Sequence, residues 1–175
     1  FRVFSNVLKT FKYFILKLPQ NGFLVVNKDD KSLKKIKFKK PKFKVINYSL
    51  KSRSRSDRGS LILSGQKEAK KFKNILKIPG EHNISNALAT LSVARILGIP
   101  DKISFKSLSE YKGSWRRFEI IKTKPYTLIS DYGHHPNEVI ATLKSVREKY
   151  LYPPKFSTDK IAPTIEQNRC RCSFV

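Results

Sequence analysis

Acidic side chains are scarce in this chain: 13 Asp and Glu stand against 37 Lys and Arg, for a net charge of +24 over 175 residues. Such an excess raises a nucleic-acid partner, because lysines that neutralise phosphates drive that binding. The basic residues, however, run from Lys9 to Lys160 without forming one stripe. The densest stretch, Lys28 to Lys44, alternates them with apolar residues as the solvent face of helices and strands does. Compositional bias is the reading this favours, and nucleic acid is set aside as a partner.

Cysteine is nearly absent. Cys170 and Cys172 form an isolated C-x-C with no second pair and no neighbouring histidine, which argues against a zinc site. Nothing in so sparse a pattern calls for an oxidising compartment. Long apolar runs are missing too. The opening FRVFSNVLKTFKYFILKL is interrupted by lysines at 9, 12 and 17 and is too broken to span a bilayer. Phe1, Phe4, Leu8, Phe11 and Ile15 instead recur at steps of three and four, which predicts an amphipathic, core-facing helix. The first residue is not Met, and the expectation is that the natural start lies upstream.

What is present is enough aromatic material, 12 Phe and 7 Tyr, for a packed core. After Pro19 and Gly22, Phe23–Asn27 reads as a short buried strand. Asp29 and Asp30 open a weak helix through Ile36, placed where the helix dipole favours negative charge. Val45–Tyr48 is a second strand, and Ser49–Gly59 a polar loop. Strands are predicted at Leu61–Leu63 and Phe72–Ile78. A strong helix follows from His82 to Leu97, with Ile84, Ala87, Leu88, Leu91, Ala94 and Leu97 on one stripe and Gly98 as its stop. Asp101 caps the next helix, which carries Ile103, Leu108 and Tyr111. Past Gly113 the pattern turns to strands at Phe118–Ile121 and Tyr126–Asp131, joined by a turn at Lys124–Pro125. Pro136 then opens a helix with Val139, Leu143 and Val146 facing inward. Helices flanked by short apolar strands make an α/β fold. The shift in composition near Gly113 marks a domain boundary.

Three clusters carry chemistry, each at a strand end or a helix start, where open α/β folds bind ligands. Asn83 and Asn86 lie three apart at a helix start, so their amides share a face and can offer donor and acceptor to a heterocycle edge. Simple N-capping is the plainer account of either one alone. Arg117, at a strand start beside a glycine linker, can reach a phosphate with its forked guanidinium, or make a surface salt bridge. Asp131, directly after an apolar strand, can accept hydrogen bonds from ribose hydroxyls. His134 and His135 are adjacent and poorly placed to chelate one ion together. Positioning a polar or anionic substrate suits them better, and no metal site is assigned.

Taken in order, Ile78-Pro79-Gly80-x-His82-Asn83-x-x-Asn86-Ala87-Leu88-Ala89, Gly113-x-x-Arg116-Arg117-Phe118-Glu119 and Asp131-Tyr132-x-His134-His135-Pro136-x-Glu138 resemble the Mur ligase family. The third motif looks like the branch that joins L-alanine to UDP-N-acetylmuramate. The resemblance is close from Ile78 to Tyr150. It extends loosely back to Phe1 through Leu18-Pro19-x-x-Gly22 and Asn27-x-Asp29-Asp30. It implies a partial P-loop-type central domain over residues 1–113, the start of a Rossmann-like C-terminal domain over 114–150, and an aberrant or disordered tail over 151–175. It further implies that His82, Asn83 and Asn86 line an adenine pocket, that Arg117 meets the terminal phosphate of ATP, and that Asp131 holds the ribose. His134, His135 and Glu138 would then face UDP-N-acetylmuramate and L-alanine. ATP would phosphorylate the muramate carboxylate, and the amine of alanine would attack the acyl phosphate, in the cytoplasm and in service of peptidoglycan.

Departures from the family pattern are specific. No Gly-rich phosphate loop ending in Lys-Ser or Lys-Thr occurs in the chain. The residues that would bind Mg²⁺ are expected upstream of Phe1. The closest rival is the related ligase that attaches a tripeptide to UDP-muramate, against which Tyr132 and Glu138 weigh. A basic nucleic-acid-binding module and a bare interaction fragment are the readings from other classes. Without the phosphate loop, these 175 residues incubated with ATP, UDP-N-acetylmuramate and L-alanine are expected to release no phosphate and join no alanine; measurable joining would contradict that.

Overall fold

The computed structural model describes residues 4–36, 41–52, 61–123 and 126–150. Its centre is a three-stranded parallel sheet of β1 (Phe23–Asn27), β2 (Lys44–Tyr48) and β3 (Leu61–Ser64), in the order β1-β2-β3. Phe23 pairs with Lys44 and Asn27 with Tyr48, and the β2–β3 register slips between Asn47 and Tyr48. Two helices that follow β3, α2 (Gln66–Ile75) and α3 (Glu81–Ile96), supply most of the cover. Helix α3 lies across all three strands and also touches α2 and α4 (Asp101–Glu110). Beyond Gly113, β4 (Glu119–Thr123) and β5 (Tyr126–Ser130) form an antiparallel hairpin, followed by α5 (Pro136–Tyr150). The architecture is α/β with a parallel sheet, as the sequence pattern predicts. The turn read at Lys124–Pro125, most of the Ser49–Gly59 loop and the 151–175 tail lie outside the described residues.

The core forms where α2 and α3 meet: Phe72, Leu88 and Leu91 are wholly buried and Ala69 and Ala87 nearly so. Phe105 of α4 stacks on Phe72 at 4.9 Å between ring centroids. Buried hydroxyls are satisfied within this packing. The Ser64 and Ser92 hydroxyls lie 2.8 Å apart and 2.9 and 3.0 Å from the Leu88 carbonyl, so that one can donate to the carbonyl and the other to its neighbour. Arg95 ties the layers together, reaching the Leu63 carbonyl, Glu68 of α2 at 3.2 Å and Asp101 of α4 at 2.6 Å. Its hydrogen bond holds the Asp101 carboxyl below the ordinary carboxylate value.

Four local expectations are corrected. Phe72–Ile78 is not a strand: Ala69 and Phe72 repeat at helical spacing between lysines, so a short apolar run that fits either state belongs to α2 and the irregular turn after it. The Asp29–Ile36 helix reduces to one 3₁₀ turn, Leu33–Lys35, because Asp29 accepts from the Ser49 hydroxyl and the Leu50 N–H, both at 2.7 Å, while Asp30 accepts from Ser32 N–H. A side chain spent on the β2–β3 connection cannot seed a helix. Asp101 makes no capping bond and pairs with Arg95 instead. Helix α1 (Phe4–Leu16) forms, but only Ile15 is buried; Phe11 is 52% and Phe14 71% exposed. No other element among the described residues packs extensively against its apolar face.

Leu88 makes the sharpest test of this core. Truncation at a site with no solvent exposure costs roughly 2–5 kcal/mol for Leu→Ala in well-packed proteins. Leu88→Ala is expected to lower the urea midpoint accordingly at unchanged slope. A midpoint equal to that of the parent chain would show that α3 does not organise the fold.

Candidate functional site

Two backbone devices bring the candidate residues together. The first is the entry to α3. Gly80 sits at φ 105°, a conformation L side chains rarely adopt. A Cβ there would come within 2.7 Å of the His82 ring and closer still to the Ser145 hydroxyl of α5. This close approach seats α5 against the start of α3. The Asn83 amide donates to the Pro79 carbonyl at 2.6 Å, so part of its hydrogen-bonding capacity closes the turn. The Asn86 side chain makes no hydrogen bond among the described residues, and it is exposed.

The second device is the tight segment from Gly113 to Phe118. Arg116 and Phe118 are the only described non-glycine residues at positive φ, 54° and 49°. Each such residue costs on the order of 1–3 kcal/mol unless its surroundings hold it. Asp131 holds Phe118: one carboxylate oxygen takes the Phe118 N–H at 2.9 Å, and the other takes the Gly133 N–H at 2.8 Å. Arg116 is held by Tyr132 N–H on its carbonyl at 2.8 Å and by Glu119 on its own N–H at 3.1 Å. Its guanidinium lies 5.0 Å from the Tyr132 ring centroid, a cation–π contact. With its neighbours wound this way, Arg117 faces the crevice and makes no ion pair with a carboxylate among the described residues.

Between these devices lies a cleft of about 820 Å³ lined by His82, Asn83, Asn86, Arg117, Asp131 and Glu138. That volume is within the range of small-molecule sites. Six of the eight residues singled out from the sequence therefore share one cavity. His134 and His135 do not line it; they are exposed at the start of α5. Glu138 has a further structural role that the motif did not reveal. It accepts the His134 and His135 N–H groups at 3.1 and 3.2 Å, capping α5. Those backbone hydrogen bonds, first from His135 and then His134, lower its pKa. Thr90, Tyr111 and Asn137 also line the cleft and were not singled out. Thr90 could have been found, standing one helical turn beyond Asn86 on the same face.

The cleft carries a small negative excess, Asp131 and Glu138 against Arg117. Burial lowers the His82 pKa below its usual 6.5; Asp131 opposes that shift and Arg117 adds to it. His82 is thus the neutral neighbour of one cation and two carboxylates at neutral pH. Among the described residues no three His, Cys, Asp or Glu gather as a metal site would require.

Comparison with known proteins adds to this geometry. The model of the Mur ligase middle domain matches residues 1–94. The UDP-N-acetylmuramate–L-alanine ligase of Aquifex aeolicus is 37% identical over 163 residues, covering 87% of this chain and 35% of that protein. The protein of the same name from Persephonella marina is 34% identical over 150 residues, 83% of this chain and 32% of its own length. That of Bdellovibrio bacteriovorus is 35% identical over 167 residues, 86% and 35% respectively. The chain spans about a third of the length of the curated relatives it matches.

The lowered His82 pKa has a signed consequence. Below 6.5 the unfolded chain takes up the imidazole proton before the folded one does, so stability drops as pH falls from there. The drop ends once pH passes the depressed folded value. His82→Asn is expected to flatten that limb of a stability–pH curve from urea titrations. An unchanged limb in the variant would mean His82 is not the group responsible.

Proposed function

We propose, starting from the fact that the chain belongs to the Mur ligase family, that its cleft is the adenosine end of an ATP site in a ligase that joins L-alanine to UDP-N-acetylmuramate. The observation that carries this reading is the convergence of Asn86, Arg117 and Asp131, far apart in the chain, on one cavity. The exposed Asn86 amide, without a protein hydrogen-bond partner among the described residues, offers a donor and an acceptor side by side, which matches the edge of adenine. Asn83 and His82 flank it, Asn83 chiefly by fixing the turn. Each Asp131 oxygen bonds one backbone N–H and keeps further acceptor capacity for ribose hydroxyls. Arg117, without an ion-paired carboxylate among the described residues, can meet the terminal phosphate.

ATP supplies the activating phosphoryl group: it passes to the muramate carboxylate, and the amine of alanine displaces phosphate from the acyl phosphate through a tetrahedral intermediate. Positioning and charge neutralisation account for most of such catalysis. Glu138, which lines the cleft, and His134 and His135, which precede it at the start of α5, are assigned to the side of the muramate substrate and alanine. The described residues offer no cluster fit to hold Mg²⁺, so no step is derived through that ion. We place the boundary between an ATP-binding unit and a C-terminal ligase unit at Gly113–Ser114, where the linker turns. No helix among the described residues is long and apolar enough to cross a membrane, and a cytoplasmic setting goes with ATP as co-substrate.

Saturation-transfer NMR on this chain with adenosine and with ATP tests the assignment. Asn86→Ala and Asp131→Ala are each expected to weaken both ligands by about tenfold, the scale of a lost hydrogen bond to a charged or unpaired group. Arg117→Ala should weaken ATP and leave adenosine alone. Identical behaviour of all three variants and the parent chain would rule the cleft out as a nucleotide site.

A further inference from the structure

A second cavity, of about 440 Å³, adjoins the first across the Gly113–Phe118 segment and shares Arg117 with it. Its character is different. Lys77 comes from the turn before α3, Lys112 from the end of α4, Arg117 from the linker and Lys149 from the last turn of α5. Against these four cations the cavity has one carboxylate, Glu119, and that group already accepts the Arg116 N–H. None of the three lysines forms an ion pair with a carboxylate among the described residues. Lys149 lies 6.0 Å from the Phe118 ring centroid, which holds it near the cavity. Trp115, the one tryptophan of the chain, stands at the rim and is 79% exposed.

A lysine on a convex face is fully hydrated and repels its neighbours weakly. Cations delivered from four separate segments to one concave, partly apolar volume add their fields there and draw counter-ions from solvent. The adjoining nucleotide cleft differs because Asp131 and Glu138 answer Arg117 within it. The surplus in the second cavity needs an anion with several charges close together, since a monovalent ion would leave most of it unanswered.

We infer that this cavity binds a small oligophosphate, inorganic or esterified, through Lys77, Lys112 and Lys149, with Trp115 beside it at the rim. The site does not depend on the adenosine reading, because Asn86 and Asp131 take no part in it. Arg117 is the one charged residue that lines both cavities, so an anion bound here also sets the charge felt at the phosphate end of the first cleft.

The lone tryptophan makes a local readout possible. Iodide, an anionic quencher, collects where the field is positive, and pyrophosphate bound in the cavity would displace it. At ionic strength held constant with sodium chloride, pyrophosphate is expected to lower the iodide quenching constant of Trp115 by about threefold, well within the range of field-driven local enrichment. In Lys112→Gln/Lys149→Gln, quenching should start low and pyrophosphate should change nothing. Acrylamide, which is uncharged, checks that the indole keeps its exposure; if the double variant alters it, Lys77→Gln carries the comparison. Asn86→Ala should behave as the parent chain, which separates this site from the nucleotide cleft. Iodide quenching indifferent to pyrophosphate, or lowered equally in parent and lysine variants, overturns the proposal. Protection by a single-stranded oligonucleotide but not by pyrophosphate would also overturn it, assigning the basic face to nucleic acid.

Discussion

One carboxylate, that of Asp131, holds the candidate site in shape. It joins the end of β5 to the linker after Gly113 by accepting the Phe118 N–H with one oxygen and the Gly133 N–H with the other. Phe118 sits in a backbone conformation that costs free energy for any residue with a Cβ. Without that acceptor the linker would relax, Arg117 would swing away, and the wall opposite Asn86 would be lost. Strain concentrated in a short connection and offset by a hydrogen bond from the binding surface itself is a recurrent way to make a site rigid where two units meet.

Helix α3 is the second constraint. Its buried stripe spans the sheet and the α2 interface, while its first turn, beginning at Gly80, is the floor of the cleft. Packing and ligand geometry therefore share one rigid element, which keeps His82 and Asn86 in fixed relation to the core. Partial desolvation of the His82 ring follows from that placement. The same linker divides the crevice into a cavity with a small acidic excess and a basic one.

Much of the fold was legible in the residues because its signals are local. Ala87, Leu88, Leu91 and Ala94 announce α3 by their spacing, and Gly98 its end; all four are buried. The hairpin was readable from two short strand-forming runs joined at Lys124–Pro125, and α5 from Pro136. Phe72–Ile78 was misread because a short apolar run fits helix and strand alike, and only its packing against Leu88 and Leu91 decides. Helix α1 has the pattern of a core element without a core among the described residues to face, so periodicity told its conformation and not its burial. The Asp29 side chain was read as local when its partners lie across the sheet connection at Ser49 and Leu50.

By itself the sequence determined most of the secondary elements, the α/β class and, through three spaced motifs, the family and the residues worth watching. These depend on side-chain type and on periods of two and 3.6, which are properties of neighbours in the chain. Only the tertiary structure decided that six of the eight residues face one cavity while His134 and His135 stand outside it, that Glu138 caps its own helix, and that Asp131 is a clamp. Those facts rest on distances between segments that the chain brings together only on folding, where left-handed residues on either side of Arg117 redirect the chain after it.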